Sequence, residues 1–192
     1  MTHFIQTLIS GLSLGSIYAL IALGYTMVYG IAKMLNFAHG DIIMIGAYAG
    51  IIAVAQMGLP PLIAVLLSIL ICALLGVLIE FLAYKPLRQA GPLAVLITAI
   101  GVSYFLQNAA QLLWGATPKN FTSLVTFQVP EFLAKFNVSA VSLVTIVACL
   151  VIMAGLMFFT GKTKMGKAMR AVSEDKGAAQ LMGINVNGTI SL

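Results

Sequence analysis

Charge is scarce in this sequence: only 8% of its 192 residues are Asp, Glu, Lys or Arg, where a soluble domain uses roughly 25% to cover its surface. With 61% hydrophobic residues alongside, water is excluded as the main solvent. Cysteine is nearly absent, and Cys72 and Cys149 each lie inside an apolar run without the spacing of a redox or metal motif, so both read as small packing residues. No Lys or Arg precedes Lys33. The basic region of a cleavable signal peptide is therefore missing, and the amino-terminal run is expected to stay as a span. The net charge of +5 could suggest nucleic acid. The basic residues, however, gather at the ends of apolar runs without aromatic interleaving, which fits membrane topology and no nucleic-acid partner. Walker A, nucleophile-elbow and glycine-rich phosphate signatures are also lacking, as is a metal-ligand pair at helical spacing. Neither a cofactor nor a metal is expected, and the chain is read as no enzyme.

What is present is a series of apolar runs, to be measured against the roughly 30 Å of hydrocarbon that a span must cross. Phe4 to Gly30 carries no formal charge and as a helix is about 40 Å long, so it must tilt or break. Ile42 to Met57 reaches only about 24 Å, short for a full span. Pro60-Pro61 turns the chain into Pro61 to Ile79, closed by Glu80; Leu93 to Trp114 and Val138 to Thr160 complete the set. The fold class that follows is all-α: a polytopic transmembrane bundle of about five apolar segments. Between the last two, Phe121 to Val129 alternates in polarity, and Pro130 to Phe136 has Pro and an acid where a first helical turn wants them. Gly11/Gly15 and Gly46/Gly50 repeat the G-x-x-x-G spacing that lets helices approach closely in lipid, with internal packing favoured over a dimer interface.

Orientation follows from the basic residues at span ends, because positively charged loops are retained inside. Lys162, Lys164, Lys167, Arg170 and Lys176 place the tail in the cytoplasm, and counting spans backward puts Lys85 and Arg88 there too. Only Lys119 and Lys135 then lie outside. The amino terminus stays unplaced, because the depth of 31–41 is open.

That segment is the most informative place in the first half. Asp41 at mid-membrane would cost roughly 2.5–3.5 kcal/mol, and each Leu or Ile returns only about 0.3–0.6 kcal/mol. One reading is a cytoplasmic turn with Asp41 as N-cap of a helix beginning at Ile42. The other is a break at membrane depth that lines a path, which the shortness of the neighbouring run favours. A catalytic pair of His39 and Asp41 is disfavoured, since residues two apart do not share a helical face and no third partner is evident.

In the tail, Met165, Ala168, Met169 and Val172 share one helical face. Ser173 then suits an N-cap, with Glu174 and Asp175 in the following turn, and a second short helix runs to Met182 with Gly183 as its left-handed stop. Ala178, Leu181 and Met182 fall on one face of that helix. Basic residues would draw these helices onto anionic headgroups, but Glu174 and Asp175 would be repelled there, which favours a docking surface for a protein partner.

The stretches Gly15-Ser16-Ile17-Tyr18-Ala19-Leu20, Gly24-Tyr25-Thr26-Met27-Val28-Tyr29-Gly30 and Leu35-Asn36-Phe37-Ala38-His39-Gly40-Asp41 resemble the amino-terminal signature of permease subunits from branched-chain amino acid ABC importers. The resemblance continues through Ala83 to Arg88, Ile100 to Asn108 and Met165 to Ala171, and so covers essentially the whole chain. Ala178-Ala179-Gln180-Leu181-Met182-Gly183 is similar to part of the loop by which such permeases dock their ATPases, although Gly177 stands where a Glu is usual. The resemblance implies a substrate path at Asn36, Phe37, His39, Gly40 and Asp41, and ATPase coupling through Met169, Glu174, Asp175, Ala178, Ala179 and Gly183. It implies a transmembrane domain over 1–161 and, over 162–192, a cytoplasmic coupling loop with the start of a further span. Relatives continue through further spans, so the chain is read as a truncated permease.

The function expected is inward movement of branched-chain or related amino acids across a bacterial plasma membrane. The partners are a second permease subunit, two ABC ATPase subunits, an external or periplasmic substrate-binding protein and membrane lipid. A urea or short-amide permease is the close alternative. A self-contained carrier or channel would need ion-coupling or filter residues that the spans, Asp41 apart, almost lack.

Overall fold

The structure, a computed structural model, describes residues 2–88, 90–119 and 139–191; the two pieces expected within 121–136 lie outside these residues. Among the described residues the regular structure is entirely helical. Four helices are long and apolar enough to span a membrane, and a shorter apolar one accompanies them. These are α1 (Thr2–Ala32), α3 (Pro61–Ile79), α4 (Pro92–Trp114) and α5 (Ala140–Lys162), with α2 (His39–Ala55) as the short one. Short helices α6 (Lys164–Glu174), α7 (Lys176–Leu181) and α8 (Val186–Ile190) follow. The chain divides into two compact units: Met1–Ile31 with Thr122–Val186, and Ala32–Phe121 with Asn187–Leu192.

In the second unit, proline at the first position starts both α3 and α4, where its missing N–H removes nothing from the helix. Helix α2 lies against α3 along small residues. A Cβ on Gly46 would run into the Cys72 sulfur, and one on Gly50 would come within 3.1 Å of Ser68 Oγ. Ala49, Ala53 and Ala64 are buried in the same unit. In lipid, where apolar area gives little drive for association, such close backbone approach is what holds helices together. Replacing Gly46 with leucine should therefore destabilise the folded chain by about 2 kcal/mol, read as a lower unfolding midpoint in detergent. Retention of the wild-type midpoint would show that α2 and α3 do not meet there.

As its apolar run suggested, α3 closes at Ile79 with Glu80 as its cap, but the helical path goes on beyond it. It widens into a π-helical turn over Glu80–Tyr84 and then tightens into a 3-10 turn over Lys85–Leu87. Tyr84 thereby reaches the core of this unit, with Ala38, Ile79, Val95, Ala99 and Leu106. Tyr48 of α2 stacks on Trp114 at the end of α4, with ring centroids 4.6 Å apart. Gly115, at φ +82, ends α4 in a backbone conformation that favours glycine.

In the first unit α1 is one unbroken helix of 31 residues, about 46 Å long. The alternative of a break within it is thus overturned, because no residue between Phe4 and Gly30 interrupts the hydrogen-bond ladder. Ser139 caps α5 by accepting from the Val141 amide. Thr163 joins α5 to α6 through one hydroxyl, which donates to the Phe159 carbonyl (2.6 Å) and accepts from the Gly166 amide (3.0 Å). Gly166 packs so tightly on the end of α5 that any Cβ would collide with the backbone of Phe159 and Thr160. The carboxyl-terminal end of α1 and that of α5 meet at one cavity of about 170 Å³, lined by Thr26, Met27, Ile31, Thr160, Met169 and Arg170 among others. Helices α1 and α5 therefore run in the same sense.

Candidate functional site

Between α1 and α2 the chain leaves the helical path over 33–38. Lys33 adopts φ +57, a left-handed conformation that breaks a helix. Asn36 organises the break: its Oδ1 accepts from the Ala38 amide at 3.1 Å and from the Tyr84 hydroxyl at 2.8 Å. Ala38 is fully buried and leads directly into α2. The helix thus begins at His39 rather than Ile42, and Asp41 is not its N-cap. Its carboxylate lies inside the first turn and points across to α4, where Ser103 donates to Oδ2 (2.5 Å) and Gln107 to Oδ1 (3.0 Å).

The level of that contact is informative. Ser103 is the central residue of α4, and a helix of 23 residues, about 34 Å long, just spans the hydrocarbon. Asp41, with only 8% of its surface exposed, is therefore held near the level of the bilayer centre. On α4, Ser103, Gln107 and Gln111 recur at helical spacing with Asn108 beside them, and Gln107, Asn108 and Gln111 are exposed. Polar groups at that depth are costly against lipid and are normally turned to a protein interior or a wet path.

Of the five residues expected here, Asn36 and Asp41 are brought into hydrogen bonds across helices. Phe37 and Gly40 are exposed, and His39, partly buried, opens α2. Ser103, Gln107 and Tyr84 were given no role by sequence reasoning. The available signal was the polar spacing on α4, which stands out within an otherwise apolar run. No group of three or more His, Cys, Asp or Glu side chains gathers among the described residues.

In the tail, Met169, Val172 and Ala179 are buried, whereas Glu174 and Ala178 are exposed. One assignment is corrected. Ser173 does not cap the second short helix, because its hydroxyl donates back to the Arg170 carbonyl within α6 (2.8 Å). Asp175 is the cap, extended at φ −148 and accepting from the amides of Gly177 (2.7 Å) and Ala178 (3.0 Å). Gly183 adopts the expected left-handed conformation at φ +81. Leu181 and Met182, 90% and 82% exposed, stand out from α7.

A further polar knot was invisible in the sequence. Arg88 pairs with Glu80 through Nη2, which also donates to Ser191 Oγ (2.9 Å), while Nη1 donates to Asn187 Oδ1 (2.6 Å). Arg88 and Glu80 side chains are only 13% and 19% exposed. The guanidinium thus ties the turn after α3 to α8 and the residue that follows it.

Spanning helices, an interrupted backbone and a carboxylate held at mid-depth define a polytopic membrane protein of the permease class. Residues 7–192 match the family described as branched-chain amino acid transport system, permease component, and the chain belongs to that family. It is 41% identical, over 99% of its length, to the high-affinity branched-chain amino acid transport system permease protein BraD of Pseudomonas aeruginosa. It is 39% identical, over 99% of its length, to the LivH permease protein of the same description from Escherichia coli. A probable branched-chain amino acid transport permease protein LivH of Methanocaldococcus jannaschii is 28% identical over 91% of the chain and 56% of that relative. The chain spans 66% of the length of BraD and 65% of that of the Escherichia coli LivH. No solved structure matches. The protein is a multi-pass protein of the inner membrane, as the spanning helices and the family indicate.

Proposed function

We propose that this chain forms the path-lining part of an ABC importer permease that moves branched-chain amino acids inward. The observation that carries the reading is the Asp41 carboxylate, bonded to the midpoint of α4 beside an interruption of the backbone. Interrupted helices whose ends meet polar groups at mid-depth are how membrane proteins build a site for a polar solute. Asn36, Phe37, His39, Gly40 and Asp41 form one wall of the path, with Ser103 and Gln107 facing them. The amino terminus lies outside, since α1 ends beside the basic, cytoplasmic end of α5.

Residues 162–192 form the coupling loop, in which Met169 and Ala179 seat the short helices and Glu174, Ala178, Leu181 and Met182 meet an ATPase subunit. Asp175 and Gly183 act by shaping α7. The remaining partners are a second permease, a second ATPase and an external substrate-binding protein; ATP hydrolysis belongs to the ATPases and this chain catalyses no reaction. The decisive experiment is reconstitution of the full-length permease with all of these in vesicles. ATP-dependent accumulation of labelled leucine or isoleucine is expected, and none despite complete assembly would sink the reading.

Docking has its own test. Burying a leucine-sized side chain is worth about 1.5–3 kcal/mol, so Leu181→Asp should cut ATPase co-purification by about tenfold or more. Because Leu181 is 90% exposed, the permease itself should melt as before. Unchanged co-purification would remove α7 from the interface. Glu174→Lys is the matching charge test, since reversing Asp175 would also remove a helix cap.

A further inference from the structure

We infer that Asp41, Ser103 and Gln107 form a binding site for the α-ammonium group of the travelling amino acid, with the Gln107 amide as its placeholder. The inference rests on the chain serving as an amino acid path and names what that path recognises.

The geometry around one nitrogen carries it. Gln107 Nε2 lies 3.0 Å from Asp41 Oδ1 and 3.1 Å from Ser103 Oγ. Ser103 in turn donates to the other carboxylate oxygen, Oδ2. A donor nitrogen thus sits between two acceptors, one of them anionic, at the level of the bilayer centre. A primary ammonium placed there meets the same two acceptors and adds the positive charge that the amide lacks. Hydrogen bonds to charged groups are the stronger kind, so the ammonium outcompetes the amide it replaces.

The three side chains differ in a way that suits exchange. Asp41 is buried and pinned through Oδ2, which leaves Oδ1 for the ligand. Gln107 is exposed on a long side chain and can swing away without unpacking a helix. An amino acid crossing the apolar middle of a membrane keeps a charged ammonium that is costly to leave unpaired at that depth. Asp41 meets that charge where the cost is greatest, and Gln107 closes over the carboxylate once the ligand has passed.

Two variants of the full-length permease, assembled with its partners in vesicles, decide the matter. Asp41→Asn removes the counter-charge, and leucine uptake should fall by about tenfold or more, the scale of a charged hydrogen bond. Gln107→Lys installs an ammonium permanently in the same place. Uptake should again fall by about tenfold or more, while the melting temperature equals or exceeds that of the wild type, since the link between α2 and α4 is strengthened. A merely structural tie between the helices predicts the opposite for Gln107→Lys, namely normal uptake. Wild-type uptake by either variant would overturn the site, and so would a lower melting temperature for Gln107→Lys, because the place would then not accept an ammonium. Absence of uptake by the wild-type assembly is a different failure: the transport reading falls, and the ammonium site falls with it.

Discussion

Arg88→Ala is expected to lower the unfolding free energy by about 3–5 kcal/mol. Arg88 and Glu80 are both mostly buried, and removing one leaves the other as an uncompensated charge. The same change releases Asn187 and Ser191, so α8 loses its anchor as well. Chemical denaturation in detergent measures the loss. The double variant Glu80→Ala/Arg88→Ala should recover a substantial part of it, because no buried charge is then left unpaired. Additive losses would show that the pair contributes nothing as a pair.

The second large effect is expected at Gly166. A methyl group there meets the backbone of Phe159 and Thr160, not a side chain that could rotate away. Overpacking costs typically about 1–3 kcal/mol, and a backbone obstacle puts Gly166→Ala at the upper end. Helix α6 can relieve the clash only by lifting off the end of α5, which would also break the bond from the Gly166 amide to Thr163. Partial unfolding of α6, followed by amide hydrogen exchange over 164–174, is the expected signature. Wild-type protection would mean that the helix is not seated as tightly as its backbone indicates.

The spans were legible because a helix in lipid must satisfy its own backbone and present apolar side chains all round, a requirement written continuously along each run. The left-handed Gly183 was legible for a similar reason, since a helix stop depends on the residue that stands there. Ser173 suits a cap by residue type, with Asp175 expected in the turn that follows. Their roles were settled by the Ser173 hydroxyl, which bonds within α6 and leaves Asp175 to start α7. Asp41 was recognised as costly, but its partners were not found. Pairing it with Ser103 and Gln107 requires the register of α4 against α2, and nothing local to either helix contains that. Arg88 shows the same limit. Read along the chain it is one more positive charge at a span end, whereas in the fold it is half of a buried pair.

The π-helical turn over Glu80–Tyr84 has a geometric consequence for everything after it. One extra residue in a turn swings the following side chains by about 100° around the helix axis relative to an ordinary continuation of α3. Both Tyr84, which holds Asn36, and Arg88, which holds Asn187 and Ser191, depend on that azimuth. Narrowing this turn to an ordinary α-helical one with no residue removed would turn both away from their partners, although neither had been changed. The widened turn is thus the gear tooth that sets the phase between the broken segment and the returning chain. A change that narrowed the turn would therefore act on both the Asn36 and the Asn187 contacts at once.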